Sequence, residues 1–408
     1  MRRQNKLIWS FIIAIGFLLL SYCMSNLNFP ISGEKDFLYR FELVKNYFFP
    51  KQESFNDSIL LIDVSFDKVP VQAIDEYGMP AGNIQITDRK KLLELLRELK
   101  RKNDYKYILL DVFFGEKGST PYDSALYATI SSMQRIVIPC HSDEALADSS
   151  LIKKAGWADY TSTYNVSGFA KYSYMTNDCV SLPLKMYHDV TGRTIRRHGF
   201  LFTDGWWLAR KSIVLTFDIN ANTSYSDEGE KIWYYLGADI LGNEKENGLL
   251  YESPELTKEK YIAIGASQGD DIHNTYIGSV SGTLINLNAY FSLLHHHHVV
   301  SITLIIILFC SFFILAFLTL TRQDLRELTD SATQKTSYRW RTRLLALSAL
   351  CSWVGYSLFL TILCLFTYVF LGEVYEIFIT ATMFYLLALA IKYTDNFKKL
   401  SKIWKRRY

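Results

Sequence analysis

The chain has 408 residues, 49% of them hydrophobic and 21% charged, with a formal net charge of +3. Its length excludes one small core and sets the expectation at two or three units. The near-neutral total hides an uneven distribution: three basic clusters (Arg2, Arg3 and Lys6; Arg322 to Arg343; Lys392 to Arg407) flank apolar runs, and acids outnumber bases in the segment between residues 24 and 298. Those clusters fit topology and anionic lipid. No fold there supports nucleic-acid binding.

Four apolar runs stand out, 7–24, 299–320, 344–371 and 374–391. Crossing a bilayer takes roughly 20 residues of helix, so four transmembrane helices are expected. Only the last run holds a charge, Glu376, one turn from its end, where it reaches headgroups or water. The runs divide the chain into an N-terminus 1–6, a large domain 25–298, a basic loop 321–343 and a basic tail 392–408. The positive-inside rule places the basic segments in the cytoplasm, and the large domain then lies outside a bacterial inner membrane, with both termini inside. The exit of the first run, Ser21-Tyr22-Cys23-Met24, lacks a small-x-small cleavage pattern. An uncleaved anchor is therefore expected, with cleaved or lipidated forms as the alternatives. Only Cys140 and Cys179 lie well inside the large domain. An oxidising compartment permits a disulfide between them, and sequence does not pair them.

Within the large domain, 26–55 is a connector rich in aromatic residues, expected as a helix near the membrane. Residues 58–64 (SILLIDV) form a short β-branched run, the pattern of a strand buried on both faces. A loop containing Gly78, Pro80 and Gly82 follows. Residues 87–100 place Leu92, Leu95, Leu96 and Leu99 on one helical face. Residues 105–114 are the next strand. Thr120-Pro121-Tyr122-Asp123 opens a helix in which the hydroxyl caps, proline takes the first helical position and the carboxylate reaches back. Residues 135–139 are a third strand. Strand and helix alternating at this spacing give crossover units, hence an α/β domain with a mostly parallel sheet. Farther on, 164–166 and 172–174 read as a hairpin, 182–190 as a helix, 213–217 as a strand and 218–229 as a loop. Residues 261–266 are the last parallel strand. After a glycine-broken loop, 267–281, an amphipathic helix 282–294 leads into His295–His298 and the second apolar run.

These residues carry a resemblance. SILLIDVSFD, LLELLRELK feeding YILLDVFF, RIVIP after DSALYATISSM, and above all IGASQGDDIHNTYIGSVSGTLINLNAYFSLL resemble, in that order, the type-2 CHASE domain. That domain is an extracellular sensor found beside bacterial adenylate cyclases and sensor kinases. The likeness spans roughly residues 30–298, and one span before the domain with three after it is also the family arrangement. The family usually carries a tryptophan-proline or proline-arginine patch after the first strand, where this chain has Gly78-Met79-Pro80. Family members often continue into a kinase or cyclase, whereas this chain ends shortly after its last run. The resemblance implies a membrane-anchored sensor or signalling subunit, itself no enzyme. It would bind a small ligand or an envelope protein and signal to a separate cytoplasmic partner. A homodimer is one arrangement left open. A structural scaffold of an envelope complex is the main alternative, with an envelope hydrolase or transporter behind it. Gly282, Asn288, Ala289 and Leu294 mark the segment expected to couple domain to membrane.

Asp63 and Asp111 fall at or near the carboxyl ends of adjacent strands, where open parallel sheets bind ligands. With Asp67, Asp270 and Asp271 they are candidates for an acidic mouth that takes a cation or an amine. The plainer reading is that they cap helices or pair with nearby Lys and Arg. Their spacing matches no calcium loop, and no nucleophile and base are legible beside them. No cofactor and no metal are expected. His295 and His298 are the metal candidates in the tetrahistidine run, against the reading of a wet interfacial junction. The pair Trp206-Trp207 reads as core or interface.

Overall fold

The computed structural model describes residues 3–27, 34–50, 54–74, 79–115, 119–142, 145–159, 170–176, 179–221, 230–242, 248–269, 271–321, 338–375, 377 and 379–390. The chain divides into two compact units, 28–299 and a second made of 1–27 with 300–408.

Seven parallel strands organise the first unit: β1 (Ser54–Asp63), β2 (Tyr107–Asp111), β3 (Ile136–Cys140), β4 (Ala155–Trp157), β5 (Ile219–Ala221), β6 (Glu230–Leu236) and β7 (Tyr261–Gly265). They lie side by side in the order β5-β6-β1-β7-β2-β3-β4. Consecutive side chains of β1 from Ile59 to Asp63 are all buried, as are Tyr107 to Leu110 and Ile136 to Ile138. This follows from coverage of both faces, which removes the polar alternation of a one-sided sheet.

On one face Leu60, Ile62, Ile108, Leu110, Ile262 and Ile264 share a core with helices α1 (Arg89–Lys102) and α2 (Asp123–Ser132), through Leu92, Leu95, Leu96, Leu99, Leu126 and Ile130. The start of α1 is set by Asp88, whose carboxylate accepts the N–H groups of Lys90 and Lys91. Its end is set by Asn103, at φ 49°. Helices α3 (Leu182–Thr191) and α4 (Gly282–Leu294) lie on the other face, where Tyr261 meets Tyr290 and Phe291 of α4 at ring-centroid distances of 5.4 and 5.6 Å.

Helix α4 is not the amphipathic helix that its sequence predicts. Every residue from Gly282 to Leu293 is buried. Polar positions on it are turned to internal hydrogen bonds: Tyr172 donates to Asn286, Tyr174 to the Ala289 carbonyl, and Asn288 to the Ile219 and Leu284 carbonyls. A helix buried all round belongs to the core.

Other expectations need correction. The helix expected at Thr120-Pro121 begins at Asp123. Residues 120–122 precede it: the Thr120 N–H and hydroxyl donate to the Asp123 carboxylate at 3.0 and 2.8 Å and the hydroxyl accepts the Tyr122 N–H at 3.3 Å, so the hydroxyl contact and the reach-back are as read while Pro121 lies outside the helix. The loop after β1 contains an antiparallel hairpin, Lys68–Ile74 with Pro80–Thr87. Part of the expected loop 218–229 is the edge strand β5. Of the expected hairpin, 164–166 lie outside the described residues, and Lys171–Ser173 pairs with Ser212–Val214. A three-stranded antiparallel sheet, Ile195–His198, Leu201–Asp204 and Trp207–Ala209, was not foreseen. Trp206, at the tip of one of its turns, is fully exposed and Trp207 is 55% exposed, so neither is core. The connector holds the helix Glu34–Phe48.

Among its described residues the second unit holds three helices long and apolar enough to cross a membrane: Gln4–Ser25, Ile302–Leu320 and Trp353–Leu371. The run expected as a fourth span carries a shorter apolar helix, Ile379–Ala390, while Glu376 lies outside the described residues. Aromatic contacts knit this unit, with Phe17 stacked on Phe384 at 3.8 Å and Phe11 edge-on to Phe309 at 5.4 Å. Its outward faces display Ile8, Phe11, Ile306 and Leu358, the surface expected of helices solvated by hydrocarbon.

Candidate functional site

Three strands end level with one another. Asp63 of β1 pairs with Gly265 of β7, which pairs with Asp111 of β2. The glycine between the two aspartates is required by close approach, since a Cβ there would overlap the Thr283 hydroxyl of α4. The N-terminus of α4 thus rests directly on the sheet edge.

The five candidate acids do not act as one mouth. Asp63 is 1% exposed and already saturated. It accepts from the Ser65 N–H and hydroxyl, the Ser267 N–H and the Tyr234 hydroxyl. Asp67 is paired with Lys91 at 2.6 Å. For these two the plainer reading holds. Asp270 lies outside the described residues. Asp111 and Asp271 are the pair that meet, in an open cleft of about 400 Å³ at the carboxyl ends of the strands.

Each wall of this cleft has a local cause. The hairpin Ile272–Thr275 with Gly278–Ser281 folds Asp271 and His273 over the mouth, its turn closed by the Thr275 hydroxyl donating to the Gly278 carbonyl. The Asp271 carboxylate lies against Gly282, where a Cβ would overlap it, at the positive end of the thirteen-residue helix α4. Asn286, one turn farther along, donates to Asp111 at 3.1 Å. From the sheet, His141 follows β3 and Asp159 follows β4. Their Nδ1 and Oδ1 lie 2.5 Å apart, and the other Asp159 oxygen accepts from the Ser142 N–H and the Trp157 indole. Arg89 supplies positive charge, its guanidinium 4.4 Å above the Phe114 ring and its Nε 4.0 Å from the Asp123 carboxylate, with no hydrogen bond from Nε or Nη1 among the described residues.

The electrostatics set Asp111 apart. Burial, then the Asp271 charge, push its pKa up to about 6, against the Asn286 hydrogen bond that pulls it down. Burial pushes Asp159 up, but hydrogen bonds from His141 and Ser142 outweigh it and leave the carboxyl lowered. Burial lowers Arg89, opposed by Tyr127 and Asp123. Two carboxyls facing one space, one of them reluctant to ionise, make a receptor for positive charge whose strength depends on pH.

The sign for Asp111 follows by linkage. With a folded pKa of about 6 and an unfolded value of 3.8, the native state holds an extra proton between them. Its contribution is therefore lost as pH rises through that window. Asp111→Asn, which keeps an acceptor for Asn286, should raise stability at pH 7.5 by on the order of 1–2 kcal/mol and leave it little changed at pH 4. Thermal unfolding of wild type and variant at the two pH values checks this.

Sequence reasoning named Asp111 and Asp271 but not His141, Asp159, His273 or Arg89. His141 and Asp159 stand one and two residues past strand ends, and the strand at Ala155–Trp157 is too short to be seen by periodicity. The hairpin that brings His273 inward was read as a loop. The tetrahistidine run also divides: His295 to His297 are exposed, while His298 is fully buried and bonded to Asp204 at 2.9 Å. That end of the run is dry rather than a wet junction. Cys140 and Cys179 are both free thiols.

No protein-family model matches the chain, and no curated protein and no solved structure was found to match it.

Proposed function

We propose that the protein is a membrane-anchored sensor whose outer domain binds a small cationic ligand in the cleft of Asp111 and Asp271. The convergence of those two carboxylates at the carboxyl ends of a parallel sheet is the observation that carries the reading. In this reading the domain is of the type-2 CHASE kind and lies outside a bacterial inner membrane. Four spans anchor it, the run 374–391 being the fourth, and both termini are cytoplasmic. The signal is read by a separate cytoplasmic partner, and the chain itself turns over nothing.

Helix α4 is the natural transmitter. Asn286 near its start donates to Asp111, and its end continues through His295–His298 to the helix Ile302–Thr321. Thirteen residues span about 20 Å as a rod. A ligand moves such an element only by as much as its affinities for two states differ. Because α4 is core, removing it would unfold the domain, and the test must act on the cleft instead.

The test is thermal shift of the full chain in detergent with calcium and, separately, with putrescine as probes. A rise in melting temperature is expected for at least one probe. It should be larger at pH 7.5 than at pH 5, where protons compete at Asp111, and lost in Asp271→Asn. Equal shifts in wild type and variant would rule out the cleft as the receptor.

The scaffold reading draws on a different observation. Phe200, Trp206 and Trp207 are exposed on the turns of the small antiparallel sheet, a surface suited to protein contact. A constant pull-down partner lost in Trp206→Ala, together with no response to either probe, would favour it.

A further inference from the structure

Asp204, His296 and His298 each present one ligand atom, and these atoms all lie within 4.8 Å of one another. They come from two elements. Asp204 ends the middle strand of the sheet Ile195–Ala209, opposite Trp207 and Ile195. The histidines belong to the turn after α4. Those two elements are clamped together: the Arg210 N–H donates to the His298 carbonyl at 2.8 Å, and Ala209 bridges to Val299. The cluster is therefore held by backbone pairing on both sides and does not depend on flexible side chains alone.

The chemistry of the cluster is incomplete as a hydrogen-bond network. His298 is 0% exposed and Asp204 3% exposed. One nitrogen of His298 meets one oxygen of Asp204 at 2.9 Å, and the Tyr187 hydroxyl donates to that same oxygen at 3.0 Å. The remaining atoms, His298 Nδ1 and Asp204 Oδ1, are buried with no hydrogen-bond partner among the described residues. Unpaired polar atoms in such a place are costly, and native proteins rarely keep them without a use. His296 is held at φ 60°, in the left-handed region, which turns the chain sharply between His295 and His298. Its ring centroid stands 6.1 Å from that of His298.

We propose that Asp204, His296 and His298 form a binding site for a divalent transition metal, of which zinc is the best match. Two imidazoles and one carboxylate are a donor set suited to zinc, with a further position open on the side of the exposed His296. Tyr187, which already holds the carboxylate, would orient it as a supporting hydrogen-bond donor, and its ring packs edge-on to His298 at 5.7 Å. A bound ion would cross-link the small sheet to the turn that leads into the helix Ile302–Thr321. The link immobilises the segment between domain and span, independently of what occupies the cleft.

The experiment uses the full chain without an affinity tag, stripped with chelator and titrated with zinc alone by calorimetry and thermal unfolding. One zinc per chain is expected, with a rise in melting temperature. His296→Ala, at an exposed position, should remain folded and lose about tenfold or more in affinity. Asp204→Asn should lose as much. His295→Ala, outside the cluster, should bind as wild type does. Cobalt substituted for zinc should give the visible absorption of a low-symmetry, nitrogen-rich site in wild type and not in His296→Ala. Absence of saturable zinc binding would overturn the proposal. So would equal losses in His295→Ala and His296→Ala, which would mean adventitious binding along the histidine run.

Discussion

Asn288→Ala is expected to lower the stability of the folded domain by about 3 kcal/mol, one of the two largest effects among the substitutions considered. Asn288 is 2% exposed and makes three hydrogen bonds. Its Oδ1 accepts the Ile219 N–H at 2.9 Å, and its Nδ2 donates to the carbonyls of Ile219 and Leu284 at 3.1 and 2.9 Å. The side chain thus behaves like an extra length of strand beside β5, supplied by α4. Alanine would leave a buried backbone donor and acceptor unpaired, each costing about 1–3 kcal/mol. For a domain of this size the melting temperature should fall by roughly 6–12 °C. Asn288→Asp should also be destabilising, because it keeps the acceptor and loses both donors. A change below about 2 °C in the alanine variant would mean that the edge strand does not depend on this clamp.

Asp63→Ala is the second. Its oxygens gather the Ser65 N–H and hydroxyl, the Ser267 N–H and the Tyr234 hydroxyl, joining β1, β6 and the loop after β7. Truncation strands several donors at once, at an expected cost of about 3–4 kcal/mol. Asparagine separates this structural role from a ligand role. It retains an oxygen for the Ser65 and Ser267 donors, and the Tyr234 hydroxyl can turn to accept from the new amide. Asp63→Asn should therefore cost less than half as much as alanine in urea unfolding. If Asp63 instead held a cation, both variants would lose binding alike, with little difference in stability between them.

The sequence reading succeeded where one local pattern decided the outcome. Runs such as 58–64 and 261–266 are apolar without alternation, and only a parallel sheet covered on both faces explains that. The leucine face of the expected 87–100 helix also holds, although its ends lie at 89 and 102, where Asp88 and Asn103 supply the caps. The reading failed where tertiary context overrode pattern. Helix α4 carries Asn286 and Asn288 on a segment that reads as amphipathic; buried partners at Tyr172, Asp111 and Ile219 absorb them instead. Strand β6, with the sequence EKIWYYL, shows its register only beside β1 and β5. The candidate cleft was half legible. Acids just past strand ends are visible in sequence, but whether each is already paired is not. Asp63 and Asp67 differ from Asp111 and Asp271 through partners 24 to about 200 positions away. The approach of Asp204 to His298 is likewise set across a sequence separation of 94.

The placement of β7 has a consequence for biogenesis. This strand occupies the middle of the sheet, between β1 and β2, yet it is the last of the seven to be made. Until residues 261–265 emerge, β1 and β2 have no direct hydrogen-bonded neighbour between them, and the two flanks cannot close on each other. Such long-range pairing defers assembly to the end of synthesis and slows it. The interval in which half-built sheet edges stand open is then when a nascent chain would lean most on chaperones. Because only the hairpin and α4 separate β7 from the apolar helix Ile302–Thr321, completion of the domain and insertion of that helix become neighbouring events in time.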